Sequence, residues 1–167
     1  MTHLERYVGF AVVTTDGVTF GARQELLRPI APAGPHRIKY ANSLNYCSLY
    51  RRAVWDAVGG YNPNMTMGYE DWDFWVGVTE AGFQVAHLPE PLFLYRVREE
   101  SMFTRARRHD GQLRARIVLN HPDLFSAAER SAAETALATH PLPLHPSAMA
   151  AAGLPPLPDS RAAARGR

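Results

Sequence analysis

The sequence predicts an α/β fold with a small mixed sheet and flanking helices. Short runs rich in β-branched and aromatic residues, such as 7–13 and 91–97, are typical of strands. Between them, the apolar residues of 69–81 recur at the spacing of a buried helix face. A length of 167 residues and a hydrophobic fraction of 46% are enough to build one hydrophobic core.

The N-terminal third is predicted to be mainly extended. Residues 7–20 indicate a hairpin, because Asp16 and Gly17 form a strong turn signal between two strand-like runs. The proline-rich segment 28–36 predicts an exposed connecting loop. Residues 45–50 then predict a buried strand.

The middle of the chain is predicted to alternate helices and strands. Segments 51–58 and 69–81 indicate helices, each followed by a glycine that ends the helix. Prolines separate two predicted short strands, 83–88 and 91–97. A long helix is expected over 105–119.

The C-terminal segment 126–167 differs in composition from the rest of the chain. It is rich in Ala, Pro and Arg, which predicts a largely disordered tail with room for a weak helix over 127–138. The expected folded domain is therefore 1–125.

Charge and cysteine content narrow the function classes. The net charge is only +2, and the arginines are scattered, so nucleic acid is not an expected partner. Cys47 is the only cysteine, which excludes an intrachain disulfide and fits the cytoplasm. No apolar stretch approaches the roughly 18 residues of a transmembrane helix, so any membrane association is expected at the inner face through another component.

The densest chemical signal is a run of acids at the start of the 69–81 helix. Glu70 and Asp71 lie in the first turn, where free N–H groups and the helix dipole stabilise negative charge. Asp73 and the neighbouring tryptophans raise carboxyl pKa values by repulsion and burial, which favours a general base. The simpler interpretation is that the acids are ordinary helix-start residues and the tryptophans belong to the core.

The surrounding sequence resembles family 2 glycosyltransferases, which are inverting enzymes with the GT-A fold. Segment 48–61 carries a short strand, a helix and a Gly-Gly-Tyr turn, and 68–75 carries the acidic helix. Segment 89–96 carries a closing strand that ends in Tyr-Arg. The resemblance covers roughly residues 7–104 and implies the C-terminal, acceptor-side part of a GT-A domain.

The resemblance implies roles for particular residues. Asp71 is expected to be the catalytic base that takes the proton of an acceptor hydroxyl, and Glu70 is expected to orient the acceptor or the base. Arg98 stands where related enzymes often have a histidine, and an arginine can contact phosphate but cannot ligate a metal. The residues expected to contact substrate are Tyr69, Trp72, Asp73, Arg96 and Arg98.

The partners implied by the resemblance are a nucleotide-sugar donor and a carbohydrate or lipid-linked acceptor. The complete enzyme is expected to use Mg²⁺ or Mn²⁺, with the metal and nucleotide sites on a complementary N-terminal half. This chain alone is expected to bind no metal and to show little or no transfer. A truncated product, a split-gene partner and a degenerate copy all remain open.

Three other interpretations of the sequence are a binding module, a glycoside hydrolase and a metal site at Asp16. The strongest alternative is a non-catalytic module that binds a carbohydrate or a protein. A glycoside hydrolase is disfavoured, because acids within one helical turn do not flank a scissile bond from opposite faces. Asp16 beside Gly17 is expected to be a turn residue and not a metal ligand.

Overall fold

The computed structural model describes residues 9–29 and 35–142. The described part of the chain contains four strands, six α-helices and two short 3-10 helices. The strands are β1 (Val12–Gly21), β2 (Leu26–Leu27), β3 (Leu49–Tyr50) and β4 (Val85–Val97). The α-helices are α1 (Pro35–Ile38), α2 (Arg52–Val58), α3 (Glu70–Glu80), α4 (Met102–Ala106), α5 (Asp110–Asn120) and α6 (Ala127–Thr139). The 3-10 helices are Arg107–His109 and Pro122–Leu124.

Strand β1 lies at the centre of the sheet. It pairs in parallel with β4 along its whole length. On its other side it pairs antiparallel with β3 at its beginning and with β2 further along. The α/β class predicted from the sequence is confirmed, and the sheet contains both parallel and antiparallel pairs.

The predicted hairpin at Asp16 and Gly17 is wrong, because β1 continues through both residues. The register with β4 shifts at this point, so the strand contains an irregularity where a turn was expected. The Asp16 side chain is buried and its Oδ1 lies 2.7 Å from Nε2 of His87 on β4. Tertiary pairing therefore overrides the local turn preference. Residues 7 and 8 of the predicted first strand lie outside the described residues.

The two strands predicted over 83–88 and 91–97 form one strand, β4. The register shift opposite Asp16 accommodates Pro89 and Pro91, which cannot donate a backbone hydrogen bond. Within the described ranges β4 pairs only with β1, and prolines are tolerated on an edge strand.

The strand predicted over 45–50 is reduced to the two residues of β3. Asn45 and Ser48 form a turn instead, in which the Ser48 N–H and hydroxyl both donate to the Asn45 carbonyl. The Asn45 side chain donates to the Thr15 carbonyl at 2.6 Å and so fixes this turn against β1. The predicted loop 28–36 ends in α1, and residues 30–34 lie outside the described part.

Helix α3 is the centre of the core. Its residues 72–79 are all buried, because the helix is enclosed by neighbouring elements over most of its surface. Phe74 contacts the rings of Tyr50, Trp55 and Tyr61 at centroid distances of 5.3–5.7 Å. Each large apolar side chain buried in this way contributes about 1.5–3 kcal/mol to folding.

Helices α2 and α3 confirm the sequence prediction almost to the residue. Gly59 follows α2 with a φ of 83°, and Gly82 follows α3 with a φ of 79°. Both values lie in the left-handed region, which glycine adopts without steric cost.

The single long helix predicted over 105–119 is broken in the structure. Helix α4 starts earlier, where Ser101 and Thr104 form a reciprocal capping box. The 3-10 turn Arg107–His109 then separates α4 from α5. Helix α5 ends before Pro122, as predicted.

Part of the predicted disordered tail is the well-formed helix α6. Ser126 and Glu129 form a capping box at its start, and α6 packs against α5 with Ala133 buried. The helix that the sequence allowed over 127–138 is therefore present. It packs against the domain that was predicted to end at 125. Residues 143–167 lie outside the described part. None of the described helices has the length and apolar character needed to cross a membrane.

Candidate functional site

The candidate functional site lies at the start of α3, around Glu70 and Asp71. Gly68 and Tyr69 turn the chain with φ values of 120° and 62°. A bulky residue in the left-handed region costs about 1–3 kcal/mol, and the Tyr69 hydroxyl, which donates to Asp110 Oδ1 at 2.6 Å, helps to hold it there. Desolvation and this hydrogen bond raise the pKa of Tyr69 to about 12. The N-cap residue Tyr69 makes no side-chain cap hydrogen bond, which leaves the N-terminal end of α3 to Glu70 and Asp71.

Asp71 is partly buried and holds two hydrogen bonds. Its Oδ1 accepts the Trp72 N–H at 2.8 Å, and its Oδ2 accepts the Asn42 amide at 3.1 Å. Burial, with a smaller contribution from the charge of Glu70, raises the pKa of Asp71, while the two hydrogen bonds oppose the shift. Among the described residues Asp71 forms no salt bridge. The result is a fixed carboxylate that is more basic than an ordinary aspartate.

A cleft of about 600 Å³ opens beside Asp71. Four exposed arginines line it, and Arg96 and Arg98 are the two that the sequence assigned to substrate binding. The other two are Arg23, which lies 3.7 Å from Glu25, and Arg107, whose guanidinium lies over the Phe103 ring at 5.9 Å. The cleft therefore combines one carboxylate with several cations.

A second, mostly apolar pocket of about 280 Å³ adjoins this cleft. Its walls include Tyr69, Glu70 and Asp71. Several half-exposed large side chains complete it, namely Tyr46, Tyr61, Met102 and Phe103. The pocket and the cleft share a wall made of Tyr46, Asp71, Tyr95, Ser101 and Phe103. Asp71 thus lies at the junction of an aromatic pocket and a cationic cleft.

Trp72 and Asp73, also predicted to contact substrate, line neither of these two cavities. Trp72 is 3% exposed and its indole N–H donates to the Ile38 carbonyl at 2.6 Å. The Arg114 guanidinium covers the ring at 4.7 Å. Trp72 thus joins α1, α3 and α5 as a packing residue, which is the simpler interpretation given above.

Asp73 belongs to a buried polar cluster between α3 and α5. Its Oδ1 accepts the Asn120 amide at 2.7 Å and lies 3.3 Å from His121 Nε2. His121 Nδ1 lies 2.7 Å from Glu80 Oε2. Burial opposes the charged imidazole, but the contacts with Asp73 and Glu80 outweigh it and raise the pKa of His121. This cluster fastens α5 to α3 beside a separate cavity of about 520 Å³.

The structure brings together five of the seven sequence-predicted site residues. Those five are Tyr69, Glu70, Asp71, Arg96 and Arg98. Sequence reasoning missed Asn42 and Tyr46 because they precede the acidic motif by more than 20 residues, and no spacing rule links them to it. Arg23 was missed for the same reason.

Fold and cleft together define an α/β domain with a helix-start carboxylate facing a cationic, aromatic-edged cleft. No family model matches the chain, and no curated protein matches it either. What the domain does must therefore follow from the chemistry of the cleft.

Proposed function

We propose that this domain acts on the acceptor side of an inverting sugar transfer, with Asp71 as the catalytic base. The observation that carries the proposal is the position of Asp71. Its carboxylate lines a cleft, is held by Asn42 and the Trp72 N–H, and forms no salt bridge with a described residue. Each carboxylate oxygen keeps a lone pair for an incoming hydroxyl proton.

The proposed step is a direct displacement. The acceptor hydroxyl donates its proton to Asp71 while its oxygen forms a bond to the anomeric carbon of a nucleotide-sugar donor. The bond from that carbon to the nucleoside diphosphate breaks, and the diphosphate leaves with the electron pair. A base with a raised pKa suits this step, because it binds the departing proton more strongly than an ordinary aspartate does.

The neighbouring polar residues have supporting roles in the proposal. Glu70 lines the aromatic pocket and orients the acceptor beside Asp71. Arg96 and Arg98 line the cleft and bind the substrate through charge-assisted hydrogen bonds.

We do not propose that the described residues bind the divalent cation implied by the resemblance. Within 9–29 and 35–142, no group of three or more His, Cys, Asp or Glu side chains is placed to hold a metal ion. In the complete enzyme, the donor diphosphate and any Mg²⁺ or Mn²⁺ would accordingly bind to a complementary N-terminal half.

Transfer in native extracts tests the proposal, because extracts supply endogenous acceptors and any complementary component. Cells lacking the gene are complemented with the wild-type chain or with Asp71→Asn, and their extracts receive a panel of radiolabelled nucleotide sugars. Deletion should abolish one transfer activity, and Asp71→Asn should reduce it about 100-fold or more. The matched control is Asp56→Asn on α2, an exposed residue paired with Arg52, which should restore full activity.

The outcome for Asp71→Asn separates the two candidate functions. Full transfer by that variant would remove the catalytic role. The half-exposed aromatic side chains beside the cleft would then favour the alternative, a module that binds a carbohydrate without chemistry.

A further inference from the structure

We infer that the acceptor is a glycosyl phosphate, whose phosphate lies among the four cleft arginines while its sugar ring lies in the aromatic pocket. This inference rests on the proposed function of Asp71 and adds the chemical class of the acceptor. It follows from three features of the site: the charge of the cleft, the character of the pocket, and the position of Asp71 between them.

The cleft carries an excess of positive charge. Among the described residues, four arginines line it, whereas Asp71 is the only acid that does so. Arg23 has a distant, exposed contact with Glu25, and no salt bridge links Arg96, Arg98 or Arg107 to an acid in the described ranges. Guanidinium groups gathered in this way repel one another, and a phosphate with several acceptor oxygens relieves that repulsion.

The backbone fixes three of these arginines near one another. The Ala22 N–H donates to the Val97 carbonyl at 3.2 Å, which extends the β1–β4 pairing by one residue. Arg23 follows Ala22, and Arg96 and Arg98 flank Val97 on the opposite strand. The cationic wall is therefore a product of the sheet and not of flexible side chains meeting by chance.

The pocket suits the apolar face of a sugar ring. Tyr46, Tyr61 and Phe103 are each between 42% and 53% exposed and line the pocket, whereas the rings of α3 are packed in the core. Exposed aromatic groups that cluster around a concave pocket are typical of binding sites. Glu70 and Asp71 lie at the same pocket and can accept hydrogen bonds from ring hydroxyls.

The relative positions of the two cavities determine which group of the ligand lies in each. Asp71 lies on their shared wall, and Arg107 contacts the ring of Phe103 on that wall. A hydroxyl presented to Asp71 therefore belongs to a ring in the pocket, and the anionic group attached to that ring enters the cleft. A glycosyl phosphate has this arrangement, whether its phosphate is free or esterified to a lipid.

Calorimetric binding to the full chain tests the inference with three hexose 1-phosphates, those of glucose, galactose and mannose. At least one should bind about tenfold or more tightly than both inorganic phosphate and the free hexose. The double variant Arg96→Gln, Arg98→Gln should weaken that binding about 10- to 100-fold, because charge-assisted hydrogen bonds are lost. Phe103→Ser should weaken hexose 1-phosphate binding and leave inorganic phosphate binding unchanged.

Two further arms identify the source of the phosphate. Capture of the chain by phosphatidylcholine vesicles that contain a polyprenyl hexose phosphate, but not by vesicles of the same charge made with phosphatidylglycerol, would assign the phosphate to a lipid. Binding of the hexose 1-phosphate without vesicle capture would assign it to a soluble acceptor. Uridine diphosphate that binds more tightly than every hexose 1-phosphate and displaces it would overturn the inference, because the cleft would then belong to a donor.

The controls distinguish this inference from the proposed function. Arg108→Gln removes an exposed arginine that does not line the cleft and should leave binding unchanged. Equal binding of hexose 1-phosphates and inorganic phosphate, or full binding by the double arginine variant, overturns the acceptor class without touching the role of Asp71.

Discussion

At the scale of single residues, the surroundings of Asp71 at the start of α3 have opposing effects on its pKa. Burial and the nearby Glu70 favour its protonated form, whereas hydrogen bonds from Trp72 and Asn42 favour its ionised form. Burial prevails and raises the pKa of Asp71, so the ionised form of the carboxylate lowers the stability of the fold. Perturbed carboxyl pKa values cluster at functional sites, which supports the base role proposed for Asp71.

Stability as a function of pH tests this conclusion. Because the folded-state pKa of Asp71 is raised above 3.8, its contribution to stability is present below 3.8 and is lost as pH rises through the folded value. The free energy of unfolding of Asp71→Asn, minus that of the wild-type chain, should therefore be larger at neutral pH than below 3.8. Urea denaturation at both pH values measures the difference, and Asp56→Asn on the surface is the control.

A difference that stays constant or shrinks with rising pH would contradict a raised pKa for Asp71. The same raised pKa predicts that transfer activity falls, on the acid side, at a higher pH than an ordinary aspartate would give.

At the scale of elements, the contact between α3 and α4 positions both cavities. Gly68 precedes α3, and a Cβ built on it would lie 2.7 Å from the Cβ of Ala106 on α4. This close approach brings Phe103 and Met102 beside Glu70 and Asp71. Only glycine allows it, because its φ of 120° is unfavourable for other residues and a side chain would separate the helices.

Gly68→Ala should destabilise the chain by about 2–4 kcal/mol, from backbone strain together with the clash against Ala106. It should also weaken ligand binding more than the unfolded fraction explains, because the pocket opens. Thermal and urea unfolding measure the loss of stability. Gly111→Ala in α5 is the matched control, since a Cβ there meets no atom within 4 Å. Alanine at this helical position should raise stability by up to about 1 kcal/mol.

Equal stability of Gly68→Ala and the wild-type chain would show that α3 and α4 are not held at this distance. The arrangement of the aromatic pocket would then need revision.

At the scale of the whole molecule, α6 packs against distant parts of the described chain. Helix α6 is capped at Ser126, packs on α5 and receives a hydrogen bond from Tyr40 at Glu129, 3.1 Å away. It therefore joins the N-terminal part of the chain to the C-terminal part. Helix α6 thus packs on the domain that composition alone predicted to end at 125.

Ser126→Ala should lower the global free energy of unfolding by about 1 kcal/mol, because it removes the side chain that caps α6. The matched control is Ser131→Ala on the exposed face of the same helix, which should be neutral or slightly stabilising. Urea denaturation followed by tryptophan fluorescence reports the core around α3 and not α6 itself. A loss of stability seen only in helix content, and not in the tryptophan signal, would mean that α6 unfolds independently.

The sequence predicted α2, α3 and the end of α5 well, because helical spacing, flanking glycines and a proline are local signals. It failed at β1, where Asp16 and Gly17 carry a turn signal but a parallel partner strand keeps them extended. It also failed at β4 and at the break between α4 and α5. These errors share one cause, since strand pairing and changes of direction depend on residues far apart in the chain.

By itself, the sequence determined the α/β class, the buried helix and the acids at its first turn, because each depends on neighbouring residues. Only the tertiary structure decided which of those acids lines the cationic cleft: Asp71 does, whereas Asp73 turns to Asn120 and His121. It also brought Arg23, Asn42 and Arg98 into the lining of the same cleft. The physical reason is that a cleft forms between elements that meet only on folding, so its lining is not written in any local pattern.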